Sequence, residues 1–105
     1  MERLDQIKQM LSEDAKNSFL NFALAKEYES QSNYTMAIEH YEFIRQNDPS
    51  YVGTFYHLAK LYIANEDFSK AKFIIEEGIT IAKSLKDFHA ESELKNLLMN
   101  LMVDL

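Results

Sequence analysis

The sequence has 105 residues, of which 47% are hydrophobic, and its formal net charge is -6 at pH 7. This length and composition predict one folded domain and exclude a disordered chain. The acidic balance argues against nucleic acid as a partner, because phosphates need a basic surface, and against an anionic membrane face. Cysteine is absent, so the chain has no disulfide, thiolate zinc site or cysteine nucleophile.

The N-terminal residues are charged and lack the apolar stretch of a signal peptide. No apolar run approaches the roughly 20 residues that a membrane-spanning helix requires. We therefore expect a cytoplasmic protein with no membrane partner.

Apolar residues recur at steps of three and four along the chain, which is the period of an α-helix. Only two glycines and one proline are present, too few for a series of tight strand hairpins. We predict six helices, at about 2–12, 18–30, 34–47, 52–65, 68–84 and 87–104. Pro49 cannot continue a helix and therefore marks the break between the third and the fourth.

The helical period also predicts which residues face the core. Asn33 and Asp67 each precede an aromatic residue that opens a helix, and each is predicted to be its N-cap. In chain order, the predicted core residues are Leu4, Ile7, Leu11, Leu20, Ala23, Leu24, Tyr28, Ala37, Ile38, Tyr41, Ile44, Phe55, Leu58, Ala59, Tyr62, Ala71, Ile74, Ile75, Ile79, Ala90, Leu94, Leu97, Leu98, Leu101 and Met102.

The middle of the chain repeats itself. Leu24, Ala25, Lys26, Tyr28 and Ala37 recur 34 residues later as Leu58, Ala59, Lys60, Tyr62 and Ala71. A period of this length is typical of stacked helical hairpins. Together with Tyr41 and Pro49, these residues resemble the tetratricopeptide repeat (TPR) family, whose pattern is W-x2-L-G-x2-Y, then A-x3-F, then P. The chain departs from the pattern at Asn21, which replaces the large aromatic residue in the first repeat, whereas the second repeat has Phe55 there; in both repeats alanine replaces the glycine.

The resemblance implies an all-α fold of antiparallel helical hairpins, stacked as a right-handed α-solenoid of about six helices. We expect one such domain over 1–105. It would comprise an N-terminal half-repeat helix at 1–17, repeat one at 18–51, repeat two at 52–85 and a C-terminal capping helix at 86–105. Gly78, within the fifth helix, is predicted to mark a close helix contact, with a hinge as the alternative.

In the family that the chain resembles, the first helix of each hairpin lines a concave groove that binds peptides. The groove residues that this resemblance and the helical period imply are Phe19, Phe22, Lys26, Tyr56, His57 and Lys60. Such a groove suits an extended peptide with apolar side chains and a carboxylate. The alternative is that both lysines are merely solvated. Family members that clamp the acidic tails of heat-shock chaperones use asparagines, which these positions lack.

We therefore expect a non-enzymatic protein–protein interaction module that binds a protein or peptide and carries no cofactor and no metal. His40, His57 and His89 lie on three different helices and match no metal-ligand spacing. The alternative is a structural subunit that homodimerises through the open solenoid ends or the C-terminal helix. Apolar residues beyond the narrow stripe of that helix support this alternative, unless the terminus simply frays. They are Phe88, Leu101, Met102, Val103 and Leu105.

Overall fold

The computed structural model describes residues 2–104, and every regular element in that range is an α-helix. The helices are α1 (Glu2–Glu13), α2 (Ser18–Ser30), α3 (Tyr34–Asn47), α4 (Gly53–Ala64), α5 (Phe68–Leu85) and α6 (Phe88–Asp104). The predicted all-α class and the six predicted helices are confirmed, with each boundary within one residue of its predicted place. The chain divides into two compact units, the first ending at Asp48 and the second beginning at Pro49.

Three turns between helices are closed by the same backbone arrangement. Ser32, Glu66 and Lys86 adopt left-handed conformations, with φ of 59°, 59° and 58°. In each turn, the N–H of the following residue donates to the carbonyl five positions earlier, at 2.8 to 2.9 Å. This Schellman arrangement satisfies carbonyl groups that the end of a helix leaves without an intrahelical partner.

The residue that closes each of these turns also caps the next helix. Asn33 Oδ1 accepts a hydrogen bond from a backbone N–H in the first turn of α3 at 3.3 Å, and Asp67 does the same for α5 at 3.4 Å. Both predicted N-caps are therefore confirmed. Asp87 caps α6 in the same way at 3.0 Å. In each of these turns, one residue thus ends one helix through its backbone N–H and starts the next through its side chain.

In the first unit, α2 packs against both α1 and α3. The hydroxyl of Tyr41 donates to the Glu29 carboxylate at 2.5 Å, and its ring meets the edge of Phe22 at 5.6 Å. Burial, together with the bond to Glu29, raises the pKa of Tyr41 above its ordinary value. The buried apolar residues of this unit are Leu4, Ile7, Leu24, Ala25, Tyr28, Ala37, Tyr41 and Ile44.

In the second unit, α4, α5 and α6 all contact one another, and at Gly78 the backbone of α5 lies close to side chains of α4 and α6. A Cβ atom at this position would lie 2.7 Å from the Cβ of Phe55 and 2.9 Å from Cδ1 of Leu94. The predicted close contact is therefore confirmed, and α5 runs through the glycine without a break. The other buried apolar residues here are Leu58, Ala59, Leu61, Tyr62, Ala71, Ile74, Ile75, Ala82, Ala90 and Leu101.

Most of the predicted core residues are buried, and the predictions that the structure contradicts lie at the end of α6. Met102 is 58% exposed, so its placement in the core was wrong. Leu101 is buried, so its alternative placement on an exposed dimer surface was also wrong. Neighbouring residues on a helix point about 100° apart, so Leu101 and Met102 cannot both face the centre of the core. Leu105 lies outside the described residues. Seven other predicted core residues are only half-buried: Leu11, Leu20, Ala23, Ile38, Ile79, Leu97 and Leu98.

Candidate functional site

The predicted site residues of the first unit lie on α2 and form what we call the α2 face: Phe19, Phe22 and Lys26. Phe19 is 67% exposed, and Phe22 is half-buried with its ring against the buried Tyr41. Lys26 is exposed and forms no ion pair with a described residue. This face therefore combines an anchored aromatic ring with a cation that has no carboxylate partner in the part of the chain that the structure describes.

The predicted site residues of the second unit lie on α4 and form the α4 face: Tyr56, His57 and Lys60. The ammonium group of Lys60 lies 5.2 Å from the centre of the Tyr56 ring, within the range of a cation–π contact. The rings of Tyr56 and His57 meet edge to face at 5.7 Å. Both rings are half-buried, while Lys60 is exposed and has no carboxylate partner among the described residues.

The two faces share one local design. An aromatic residue is followed four positions later by a lysine, as Phe22 and Lys26 on α2 and as Tyr56 and Lys60 on α4. Residues four apart lie on the same side of a helix, so each ring and its ammonium group point the same way. A face of this kind can pack against an apolar side chain and attract a neighbouring carboxylate.

The first unit also contains a polar cluster that we did not predict from the sequence. Asn21 is only 3% exposed, and its Oδ1 lies 3.1 Å from Nδ1 of His40. The His40 ring stacks on Tyr28 at 5.8 Å between ring centres. Burial lowers the pKa of His40, Glu39 opposes that effect, and Lys8 adds to it. The repeat indicates this cluster, because the polar residues Asn21 and His40 stand at positions where the second repeat has the apolar residues Phe55 and Ile74.

An exposed apolar patch covers the last turns of α6, and we call it the α6 patch. Met99 and Met102 are 62% and 58% exposed, and Val103 is 78% exposed. With Leu98 and Lys95 they line a shallow hollow on the surface of the second unit. A contiguous exposed apolar patch is typical of a protein–protein contact site.

Within residues 2–104, no group of three or more His, Cys, Asp or Glu residues is arranged to hold a metal ion. None of the helices in the same range has the length and apolar character required to cross a membrane.

Helical hairpins closed by equivalent turns, with an aromatic–lysine face at the same position of each repeat, define a helical-repeat protein. The family model of the tetratricopeptide repeat matches residues 52–85. The crystal structure of a tetratricopeptide repeat domain protein from Salinibacter ruber is 31% identical, with a TM-score of 0.78, and the match covers 82% of this chain and 96% of that one. The chain belongs to the tetratricopeptide repeat family.

Two further proteins are similar over nearly the whole chain. A TPR repeat-containing protein of Pseudomonas aeruginosa is 29% identical over 98 residues, which is 93% of each protein. The TPR2B domain of yeast Sti1, solved in a complex with pHsp70, has a TM-score of 0.87 over 97% of this chain and 82% of that one. At 14% identity, this second likeness concerns the fold alone. TPR folds generally mediate protein–protein interaction, and members of the family are typically non-enzymatic.

Proposed function

We propose that the chain is a non-enzymatic protein–protein interaction module in which the α2 face of the first unit and the α4 face of the second unit each bind an extended peptide segment. A bound segment places an apolar side chain on Phe22 or Tyr56 and a carboxylate near Lys26 or Lys60. The sequence predicts the same peptide-binding role, and each unit contributes one face to it. The cytoplasmic location stays a prediction from the sequence.

One observation carries the proposal: each unit exposes a lysine beside a partly buried ring, and neither lysine has a carboxylate partner among the described residues. The chain is acidic overall, with 17 Asp and Glu against 11 Lys and Arg, so a lysine at the same repeat position of both units is a local departure from the charge of the chain. Arg3 is paired with Glu27 at 3.2 Å and Lys95 with Glu91 at 2.7 Å, whereas other exposed lysines such as Lys72 lack an ion pair among the described residues, so the adjacent ring and the repeated position distinguish Lys26 and Lys60. Fixed rings and unpaired cations favour a partner that supplies apolar groups together with negative charge.

The Sti1 complex supports the general mode, because that TPR domain is bound to pHsp70. The present faces differ from a chaperone carboxylate clamp, since neither carries an asparagine. We therefore propose a partner with acidic residues spaced along an extended segment, and not a terminal carboxylate held by amide groups.

We expect that reversing the charge of Lys26 and Lys60 weakens the binding of acidic peptides. The probe is a peptide that alternates apolar and acidic residues, selected on the parent protein from a pool of such peptides. The Lys26→Glu, Lys60→Glu variant should bind it about tenfold more weakly, because two screened attractions become repulsions. Fluorescence anisotropy measures the Kd, and the loss should shrink as salt rises.

The matched control is the Lys72→Glu, Lys83→Glu variant, which makes the same change in net charge on exposed residues of α5. It should change the Kd by less than about twofold. The two single variants, Lys26→Glu and Lys60→Glu, report the contribution of each unit. If both double variants weaken binding equally, the effect is one of net charge and the proposed faces are wrong.

The α6 patch favours a second candidate function, which is self-association. Met99, Met102 and Val103 together form an exposed apolar surface on the last described helix. A second copy of the chain, packed α6 against α6, would remove this surface from water in a symmetric contact. The chain would then be a structural subunit, as the alternative interpretation of the sequence proposes.

Sedimentation velocity over a range of concentrations tests self-association. The parent chain should shift from monomer toward dimer as the concentration rises, and the Met99→Glu, Met102→Glu variant should remain monomeric. Phe73→Glu is the matched control, because Phe73 is similarly exposed on α5, at 60%. A parent chain that remains monomeric at high concentration would exclude this second function and leave the peptide-binding proposal intact.

A further inference from the structure

The polar pair of the first unit occupies two core positions of the repeat. Asn21 and His40 correspond, 34 residues earlier, to Phe55 and Ile74, which are 0% and 2% exposed. The second repeat therefore fills these positions with apolar bulk. The first repeat places two hydrogen-bonding side chains there, and a cleft opens beside them.

The hydrogen bonds fix the tautomer of His40. The Asn21 side-chain amide donates to the carbonyls of Ala15 and Asn17, both at 3.0 Å. These bonds use both amide hydrogens, so Asn21 Oδ1 is left as an acceptor. The nitrogen opposite it, Nδ1 of His40 at 3.1 Å, must carry the hydrogen. In the neutral ring Nε2 is then an acceptor, and it receives no hydrogen bond from a described residue.

The cleft beside this pair has a volume of about 530 Å³ and lies within the first unit. Leu11, Ala15 and Phe43 provide apolar lining, while Glu39 and Glu42 add carboxylates. No lysine or arginine is among the lining residues. The Glu42 carboxylate already accepts from Arg45 at 2.6 Å, so Glu39 is the carboxylate with no ion pair among the described residues.

We propose that this cleft binds a primary ammonium group carried on an apolar body. The body packs on Leu11 and Phe43, and the ammonium group donates to Nε2 of His40 and to the Glu39 carboxylate. Burial keeps His40 neutral near neutral pH, so the imidazole attracts a donor and does not repel it. The volume is within the range of small-molecule sites.

The ammonium group has two possible sources, a free arylalkyl amine and a lysine side chain beside an aromatic residue in a peptide. The proposal does not depend on the peptide-binding faces, because all the residues that form the cleft lie elsewhere in the first unit.

Amide-resolved NMR titration tests the proposal with three probes of similar shape: phenethylamine, phenethyl alcohol and hydrocinnamate. The amine should cause saturable shifts at Leu11, Ala15, His40 and Phe43, with a Kd on the order of 1 mM. Phenethyl alcohol and hydrocinnamate should cause no saturable shifts in the same concentration range. Titration with acetyl-Phe-Lys-amide then distinguishes the sources: shifts at the same residues, at a similar or lower Kd, assign the cleft to a peptide lysine.

Two variants test the assigned contacts. Glu39→Gln should weaken the binding of the amine about fivefold, because one screened charge contact is lost. The control, Glu76→Gln on the exposed side of α5, should leave the Kd unchanged. The variant Asn21→Phe, His40→Ile copies the second repeat and should abolish binding. If that variant does not fold, the test relies on Glu39→Gln and on the change in the ring-nitrogen chemical shifts of His40 when the amine is added. Equal shifts from all three probes, or no saturable shift from the amine, would overturn the proposal.

Discussion

Replacing Phe55 by alanine should lower the free energy of unfolding by about 3–5 kcal/mol. Phe55 is 0% exposed, and its side chain lies against the backbone of Gly78. Removing the ring leaves a cavity that the helices cannot close, because Gly78 already lies against the Cβ of Phe55, which alanine retains. A domain of this size has about 5–15 kcal/mol of stability in total, so the loss is severe.

Urea denaturation followed by circular dichroism measures the change for Phe55→Ala. Phe73→Ala is the matched control, since Phe73 is a phenylalanine on α5 that is 60% exposed. Its free energy of unfolding should change by less than about 0.5 kcal/mol. If the two variants lost similar stability, Phe55 would not be a central core residue.

Substituting Gly78 by alanine should destabilise the chain by about 1–2 kcal/mol, although alanine is the better helix former. Alanine gains about 1 kcal/mol of helix propensity. Its Cβ, however, would lie 2.7 Å from the Cβ of Phe55, an atom fixed to the backbone, so a helix must move. Overpacking of this kind costs about 1–3 kcal/mol, and a contact this short favours the upper part of that range.

Gly53→Ala provides the control for Gly78→Ala, because a Cβ at Gly53 would meet no atom within 4 Å. This variant should be neutral or slightly stabilising in the same denaturation experiment. A Gly78→Ala variant that is as stable as Gly53→Ala would contradict the close packing of α4, α5 and α6.

The fold was predictable because its determinants are periodic. The helical spacing of apolar residues sets each helix, and Asn33 and Asp67 mark where two of them begin. The two alanines that replace the glycine of the family pattern, Ala25 and Ala59, are both fully buried. Met102 was placed wrongly because a helical stripe indicates which side of α6 faces inward, but not how far the neighbouring helices cover that side.

The site was only partly predictable, for a related reason. The contact between Tyr56 and Lys60 follows from their four-residue spacing on one helix, so the sequence contains it. The pairing of Asn21 with His40 joins α2 to α3, and its other hydrogen bonds reach the turn before α2. Contacts between elements depend on how the helices pack, which the repeat pattern indicates only through the replacement of two apolar residues by polar ones.

The central claim is that the α2 face and the α4 face, each within its own unit, bind a partner segment. Amide-resolved NMR of the chain, with and without the selected acidic peptide, tests it most directly. We predict that the largest shifts fall on Phe22 and Lys26 in the first unit and on Tyr56 and Lys60 in the second. Shifts confined to the α6 patch or to the cleft beside His40, with none on these four residues, would contradict the claim.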